Sequence, residues 1–137
     1  VFIVGEQGLV QKLDREAQRF AGLALPYQGT LFGVTGTPGM TLVYGLRGNA
    51  YRSIDGGANW TKVDTGMNAG LASGVLRADG SVVLVSQAGQ VLLSTDDGAS
   101  FNRVKVATAA PAFAMADVGK GTIALAGVGG VRIEMLK

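Results

Sequence analysis

The sequence repeats itself with a period of about forty residues, and this repeat constrains the fold more than any other feature. The octad Ser53–Trp60 returns forty-one residues later as Ser94–Phe101, with serine, aspartate, glycine and an aromatic residue at matching places. A glycine lies at a constant distance before each octad, and the same slot recurs at Gly8, Gly48, Gly89 and Gly129. This register indicates successive copies of one structural unit.

Each copy predicts four β-strands joined by short turns. Apolar runs alternate with turns that contain glycine or aspartate, as in antiparallel hairpins. Four strands in about 40 to 45 residues is the period of a β-propeller blade. We therefore predict an all-β protein made of propeller blades, each a four-stranded antiparallel meander. The blade units of this single partial propeller domain are predicted at residues 1–25, 26–66, 67–107 and 108–137.

The segment Gln11–Leu25 offers a competing interpretation. Good helix formers separate its apolar residues, so the segment taken alone indicates a helix. The repeat register instead places Asp14 at the position of Asp55 and predicts a degenerate octad between two strands. We expect strands, because copies in register outweigh one local propensity.

The length of the chain does not fit a closed ring. It holds about 3.3 repeat units, whereas propellers close with roughly 4 to 8 blades. An open arc exposes the apolar faces and the strand edges of its end blades. The sequence therefore predicts part of a larger ring, closed either by missing blades or by another chain.

The residue types of the octad suit a hydrogen-bonded hairpin turn. Aspartate accepts hydrogen bonds from the backbone that follows it, and glycine supplies positive φ. Serine adds a hydroxyl, and the aromatic ring packs against the hairpin. These tasks need no ligand. The predicted structural residues are Ser53, Asp55, Gly57 and Trp60 in one copy, and Ser94, Asp96, Gly98 and Phe101 in the next.

The two octads resemble the Asp-box, or BNR repeat, of sialidases and other β-propellers. In that family the boxes lie between the third and fourth strands of a blade, away from the active site. The segments Gly5–Gly8, Pro26–Gly29 and Tyr51–Trp60 further resemble the photosystem II stability/assembly factor family, which has relatives in non-photosynthetic bacteria. This resemblance implies a periplasmic or otherwise exported scaffold that binds a protein partner and has no established catalytic activity.

Missing residue types exclude several kinds of site. The sequence has no cysteine and no histidine, which excludes disulfides, thiolate nucleophiles, histidine bases and metal sites built on these residues. The net charge is +2 and the cations do not cluster, which argues against a nucleic-acid partner. No apolar run approaches the ~20 residues of a transmembrane segment. No signal peptide is visible, and we predict no cofactor, metal ion or catalytic residue.

Three short motifs depart from the ligand-binding patterns that they suggest. Asp96–Gly98 lacks the alternating oxygen ligands and final glutamate of a calcium loop. Gly119–Gly121 lacks the glycine spacing and following Ser or Thr of a phosphate loop, and Gly127–Gly130 lacks the last glycine of a dinucleotide fingerprint. We predict hairpin turns at these places.

The alternative function is a fragment of a carbohydrate-active BNR-repeat glycoside hydrolase with catalytic residues mostly outside this segment. Glycosidases need two carboxylates that face each other across the scissile bond. Sialidases need an arginine cluster and a Tyr–Glu pair. Glu6, Tyr44, Arg47 and Arg52 are the loose candidates, and no spacing ties them together. Carbohydrate is the ligand under this alternative.

Strand direction predicts a binding rim. In a meander, the glycine turns between second and third strands emerge at the end opposite the boxes, beside the connections between blades. Loops held on rigid sheets commonly carry binding residues. Their amide-rich composition suits polar contact with a protein partner. The predicted rim residues are Glu6, Gln7, Tyr27, Gln28, Arg47, Asn49, Asn68, Gln87 and Gln90.

Overall fold

The computed structural model describes residues 1–136, which form β-strands, two single turns of 3-10 helix and connecting loops. The 3-10 turns are Glu6–Gly8 and Leu46–Gly48. The strands are β1 (Phe2–Val4), β2 (Val10–Asp14), β3 (Arg19–Gly22), β4 (Leu31–Thr37), β5 (Met40–Gly45), β6 (Ala50–Ser53), β7 (Thr61–Val63), β8 (Leu71–Leu76), β9 (Val82–Ser86), β10 (Val91–Ser94), β11 (Asn102–Val104), β12 (Ala114–Gly119), β13 (Thr122–Gly127) and β14 (Gly130–Met135).

The strands form four antiparallel sheets in chain order. The first sheet is β1-β2-β3, the second β4-β5-β6-β7, the third β8-β9-β10-β11 and the fourth β12-β13-β14. The second and third sheets are the complete four-stranded meanders that the repeat predicts. The repeat aligns β1 with β5, which is the second strand of its sheet. The first sheet therefore has no counterpart of the first strand, β4, within residues 1–136. The fourth has no counterpart of β7 in the same part of the chain.

The sheets stack side by side along one edge, through the first strands of the second, third and fourth sheets and through β1 in the first. Strand β1 lies against β4, β4 against β8, and β8 against β12. This is how the inner strands of adjacent propeller blades meet. Apolar layers fill the spaces between adjacent sheets: Val10 and Val43 between the first and second, Leu42 and Leu84 between the second and third, and Val83 and Ile123 between the third and fourth.

The second strand of each middle sheet is buried on both faces. Every residue of β5 and of β9 is buried. Leu42 packs toward the third sheet, whereas its neighbour Val43 packs toward the first. This explains why both strands are continuous apolar runs rather than alternating ones. Each of these strands needs a sheet on either side.

The segment Gln11–Leu25 forms strands, as the repeat register predicts, and the helical interpretation is wrong. Leu13 of β2 pairs with Phe20 of β3, and Asp14 pairs with Arg19. At the start of β2, Val10 is buried in the apolar layer against the second sheet. Packing between sheets therefore overrides the local helix propensity.

Glycines at the turns after β1, β5 and β9 allow the connecting segments to approach closely. Gly8, Gly48 and Gly89 have φ of +71°, +74° and +80°, and a Cβ at each would collide with a carbonyl oxygen of the following connection. In the fourth sheet the positive φ, +96°, is at Gly130, forty-one residues after Gly89. The assignment of Gly129 to the shared slot is therefore wrong by one residue.

The outer faces of the first and fourth sheets carry exposed apolar side chains. Val131, Ile133 and Met135 alternate along β14 and are exposed, while the residues between them are half-buried or buried. Ile3 and Phe20 are exposed on the first sheet. In the second and third sheets, the equivalent faces are covered by a neighbouring sheet.

Candidate functional site

The octad of the second sheet forms the turn between β6 and β7, and its polar side chains close that turn. The Ser53 hydroxyl donates to Asp55 Oδ1 (2.8 Å) and accepts from the N–H of Gly57 (2.9 Å). Asp55 also accepts from the backbone N–H of Asn59 (2.9 Å) and from its side-chain amide (2.7 Å). These bonds lower the pKa of Asp55 to about 2, with the Asn59 side chain as the largest cause. An ionised carboxylate therefore organises the turn.

The octad of the third sheet repeats this arrangement between β10 and β11. Ser94 donates to Asp96 Oδ1 (2.7 Å) and accepts from the N–H of Gly98 (2.9 Å). Asp96 accepts from the backbone N–H of Ser100 (2.9 Å) and from its hydroxyl. The Ser100 hydroxyl is the largest cause of the lowered pKa of Asp96, about 2. Asn59 and Ser100 thus join the residues singled out from the sequence.

The turn between β2 and β3 keeps only part of this chemistry. Asp14 Oδ1 accepts from the N–H groups of Glu16 and Ala17, both at 3.0 Å. Gln18, with φ of +52°, takes the left-handed conformation that glycine takes in the other two turns. The aspartate alone therefore remains as the acceptor that closes this hairpin.

The glycines and aromatic rings of the octads lie where the turn needs them. Gly57 and Gly98 have φ of +94° and +77°. Trp60 and Phe101 are half-buried, and each packs into the apolar layer shared with the preceding sheet. The Trp60 Nε1 is buried without a hydrogen-bond partner within residues 1–136. Each octad therefore contacts its neighbouring sheet as well as its own hairpin.

A cation from the preceding sheet binds each octad. Lys12 Nζ donates to the carbonyl oxygen of Gly56 (3.0 Å), and Arg52 Nε donates to the carbonyl oxygen of Asp97 (2.7 Å). Lys12 and Arg52 are forty residues apart and their acceptors are forty-one apart, so the two contacts are repeat equivalents. Neither contact was predicted from the sequence, although the matched spacing of the two cations was the available signal. The octads thus link adjacent sheets.

The predicted rim residues lie on turns and connections at the opposite end of the sheets. Glu6 and Gln7 are in the turn between β1 and β2, Arg47 and Asn49 in the turn between β5 and β6, Gln87 and Gln90 in the turn between β9 and β10, and Tyr27, Gln28 and Asn68 on the connections between sheets.

Three of these side chains are held by the protein itself. The ring of Tyr27 stacks on Tyr51 with 5.6 Å between centroids, and its hydroxyl donates to the Leu46 carbonyl (3.4 Å). Asn49 donates to the same carbonyl (2.8 Å). Gln90 accepts a hydrogen bond from a serine hydroxyl of its own turn (3.3 Å). The only aromatic residue predicted for the rim therefore has a structural role.

The remaining rim residues are exposed and form no side-chain hydrogen bond or ion pair within residues 1–136: Glu6, Gln7, Gln28, Arg47, Asn68 and Gln87. Arg47 and Asn68 line a groove of about 580 Å³ together with Lys62 and Asp64. This groove brings a guanidinium, an ammonium, a carboxylate and an amide to one surface. Such a surface suits polar contact with another molecule.

The loose catalytic candidates do not form one site. Tyr44 is buried, and this burial raises its pKa to about 12. Arg52 is bound to the octad of the third sheet. Glu6 and Arg47 lie in rim turns of different sheets. Within residues 1–136, these four side chains therefore do not converge in the way that a sialidase needs.

The motifs that suggested ligand-binding loops lie at hairpin turns within residues 1–136. Asp96 is held inside its octad, and Asp97 pairs with Arg52 at 3.8 Å. Gly119 ends β12, and the next two residues of Gly119–Gly121 form the turn to β13. Residues 1–136 contain no group of three or more acidic, histidine or cysteine side chains placed to hold a metal ion. Over the same residues, no helix has the length and apolar character needed to cross a membrane.

Antiparallel meanders packed through their first strands define the β-propeller class, and this chain is an all-β protein built of such blades. Two solved structures share the arrangement. YCF48 bound to D1 peptide is 17% identical with a TM-score of 0.61, and the match covers 96% of this chain and 48% of that one. YCF48 from Cyanidioschyzon merolae is 13% identical with a TM-score of 0.68, and the match covers 99% and 48%.

The chain therefore spans about half the length of each of these two structures. No family model matches the sequence, and no curated protein matches it. At these identities the likeness establishes the fold, while function has to be argued from the site.

Proposed function

We propose that this chain is part of a β-propeller scaffold that binds a protein partner through its rim and acts in assembly, not in catalysis. The observation that carries the proposal is the set of exposed, unpaired polar side chains gathered at one end of the sheets. The sequence resemblance to photosystem II assembly factors supports it. So does the similar fold of a YCF48 structure that contains a bound D1 peptide.

The mechanism is rigid presentation of the rim side chains. Backbone hydrogen bonds tie each rim turn to an adjacent connection: Gly8 N–H to Gly29 (2.8 Å), Leu46 N–H to Thr30 (2.9 Å) and Gln87 N–H to Gly70 (2.7 Å). A surface that is already ordered loses less conformational entropy on binding. In this proposal the octads have a structural task, which is to hold hairpins and adjacent sheets in place.

The test compares capture of a partner by two double variants of the full-length protein. Arg47→Ala with Asn68→Ala removes two exposed side chains of the rim groove. Arg15→Ala with Thr95→Ala removes two exposed side chains from the other end of the sheets. We avoid Tyr27, because it stacks on Tyr51. Pull-down from envelope extracts with quantitative mass spectrometry should show loss of partner for the rim variant only. Equal recovery by both variants would contradict the proposal.

We also propose that the outer faces of the first and fourth sheets are covered in the assembled protein, either by further blades or by another chain. Support comes from the exposed Val131, Ile133 and Met135. They lie on a face that a neighbouring sheet packs against in the second and third sheets. The mass measured by light scattering, for this chain and for the full-length protein, distinguishes the two sources. A monomer of this chain that binds no apolar dye would contradict covered faces.

The resemblance to exported assembly factors further supports a periplasmic or otherwise exported location. Cell fractionation of the tagged full-length protein tests this. Recovery in the cytoplasmic fraction alone would contradict it.

A further inference from the structure

A β-bulge turns Phe32 out of the second sheet. Along β4 the register passes from the pair Leu31–Gly45 to the pair Gly33–Tyr44, so Phe32 is the extra residue. Leu31 is 3% exposed, whereas the large ring of Phe32 is 42% exposed. Bulges commonly re-aim a side chain in this way. The bulge places the ring at the rim end of an inner strand.

The ring of Phe32 and the side-chain amide of Gln87, a rim residue of the third sheet, both lie close to Gly70. A Cβ built on Gly70 would lie 3.1 Å from Cε2 of Phe32 and 2.8 Å from Oε1 of Gln87. Because glycine has no Cβ, both side chains can lie against the backbone at Gly70. The Gln87 N–H also donates to the Gly70 carbonyl at 2.7 Å, which fixes the turn that carries the amide. Phe32, Gly70 and Gln87 form what we term the inner patch.

The inner patch has two groups that can contact another molecule, the side-chain amide of Gln87 and the ring of Phe32. The Gln87 amide is exposed and makes no side-chain hydrogen bond within residues 1–136. A primary amide offers one acceptor and two donors, which can pair with the N–H and C=O of a peptide backbone. The exposed ring beside it can cover an apolar side chain. An apolar ring and an amide that both lie against Gly70 match the two parts of a single peptide residue.

The same position is apolar in the neighbouring sheets. In β8 the register skips Ala72 between Leu71 and Ser73, which is the repeat equivalent of the bulge at Phe32. The next equivalent, forty-one residues further, is Phe113, which is 55% exposed. The row Phe32, Ala72 and Phe113 therefore follows the inner strands, and the inner patch lies within it.

We propose that the inner patch binds an extended segment of a protein partner, with an apolar side chain of that segment on Phe32 and its backbone amide paired with Gln87. This inference rests on the proposed function, because it names the chemistry of the partner that the rim receives. It needs none of the residues of the groove at Arg47.

The test is an NMR titration of the full-length protein with two capped tripeptides. The probes are acetyl-Ala-Leu-Ala-methylamide and acetyl-Ala-Ser-Ala-methylamide at millimolar concentration. The leucine probe should shift the Phe32 ring signals, the Gly70 N–H and the side-chain NH₂ of Gln87 in a saturating way. The serine probe should bind about tenfold more weakly, because it lacks the apolar group.

Variants separate binding at the patch from non-specific contact. Phe32→Ala and Gln87→Ala should each weaken the leucine probe about tenfold or more. Phe32→Leu should retain most of the binding, because an apolar group remains. Ile54→Ala, an exposed apolar side chain in the octad at the other end of the sheets, should change nothing. Each variant is first checked for a dispersed, wild-type-like spectrum.

Two outcomes overturn the inference: no saturating shift at the patch, or equal shifts for the leucine and serine probes. Both leave the partner-capture experiment with Arg47→Ala and Asn68→Ala unaffected. Conversely, equal capture by those variants contradicts the groove while the inner patch still binds its probe. The two failures are therefore distinguishable.

Discussion

Arg52 Nε donates a hydrogen bond to the carbonyl oxygen of Asp97 across 2.7 Å, and this bond joins the third strand of one sheet to the octad of the next. The guanidinium also lies 3.8 Å from the Asp97 carboxylate. Because the acceptor is a backbone carbonyl, the contact does not depend on the side chain at position 97. The octad is thus a point of attachment between sheets.

Replacing Arg52 with methionine tests this attachment. The variant keeps an apolar stem but loses the donor, so the free energy of unfolding should fall by about 1 kcal/mol, given a charged hydrogen bond that is partly exposed. Arg47→Met is the control, since Arg47 forms no hydrogen bond within residues 1–136, and should change stability by less than about 0.5 kcal/mol. Urea unfolding followed by circular dichroism measures both. An equal effect of the two variants would show that the attachment contributes nothing.

The octad aspartates predict an acid-sensitive fold. Hydrogen bonds lower the pKa of Asp55 and of Asp96 from 3.8 to about 2 in the folded chain. A lowered folded-state pKa means that stability is fully present above the ordinary value and is lost as the pH falls toward the folded one. The thermal midpoint should therefore drop between about pH 4 and pH 2.

The double variant Asp55→Asn with Asp96→Asn checks this assignment. It should be less stable than the wild type at pH 7, because the amide oxygen is a weaker acceptor than a carboxylate. Its thermal midpoint should depend less on pH over the acid range. If the thermal midpoints of the two proteins fall by the same amount between pH 5 and pH 2, the octads are not the source of the acid sensitivity.

A pair of glycine variants separates backbone strain from steric collision. Gly80 has φ of +84° and open space where a Cβ would lie, whereas at Gly48, with φ of +74°, a Cβ would collide with the Met67 carbonyl. Gly80→Ala should cost about 1 kcal/mol of stability from the left-handed backbone alone. Gly48→Ala should cost at least about 3 kcal/mol, because the connection has to move as well. Denaturant unfolding gives both values, and similar costs would show that the connection yields easily.

Tyr44 predicts a loss of stability at alkaline pH. Burial raises the pKa of its hydroxyl from 10.0 to about 12, against a smaller effect of a backbone hydrogen bond with Gly74. A raised folded-state pKa favours the neutral phenol, so its contribution to stability is complete below pH 10 and is lost as the pH rises from 10.0 toward 12. Tyr44→Phe should flatten the dependence of the urea midpoint on pH in this range. An unchanged slope would show that the phenol does not titrate with unfolding.

The sheets were predictable from the sequence because each repeat carries its own turn chemistry. The spacing of Ser53–Trp60 and Ser94–Phe101 was enough to place the hairpins, and it overrode the helical tendency of Gln11–Leu25. The turn at Gly129 was misplaced by one residue, since the left-handed glycine is Gly130, which lies forty-one residues after Gly89.

Contacts between sheets were harder to predict. Lys12 and Arg52 donate to backbone carbonyls, and these carry no side-chain signature in a sequence. In a strand, buried and exposed side chains alternate, and this alternation allows exposure to be predicted from sequence. The bulge at Phe32 interrupts the alternation, so the exposure of its ring was not predictable. The stack of Tyr27 on Tyr51 joins the connection between the first two sheets to a strand of the second sheet. Whether the exposed rim side chains bind a partner remains a prediction.

Strands β5 and β9 are buried on both faces, so the second and third sheets each depend on a neighbouring sheet on either side. The stability of the protein is therefore that of a one-dimensional array of sheets. In such an array each sheet is stabilised by its nearest neighbours, and the units with one neighbour open first. Amide hydrogens of β5 and β9 should therefore exchange most slowly, and those of the first and fourth sheets most rapidly. A partner that covered an outer face would slow exchange throughout the sheet behind it.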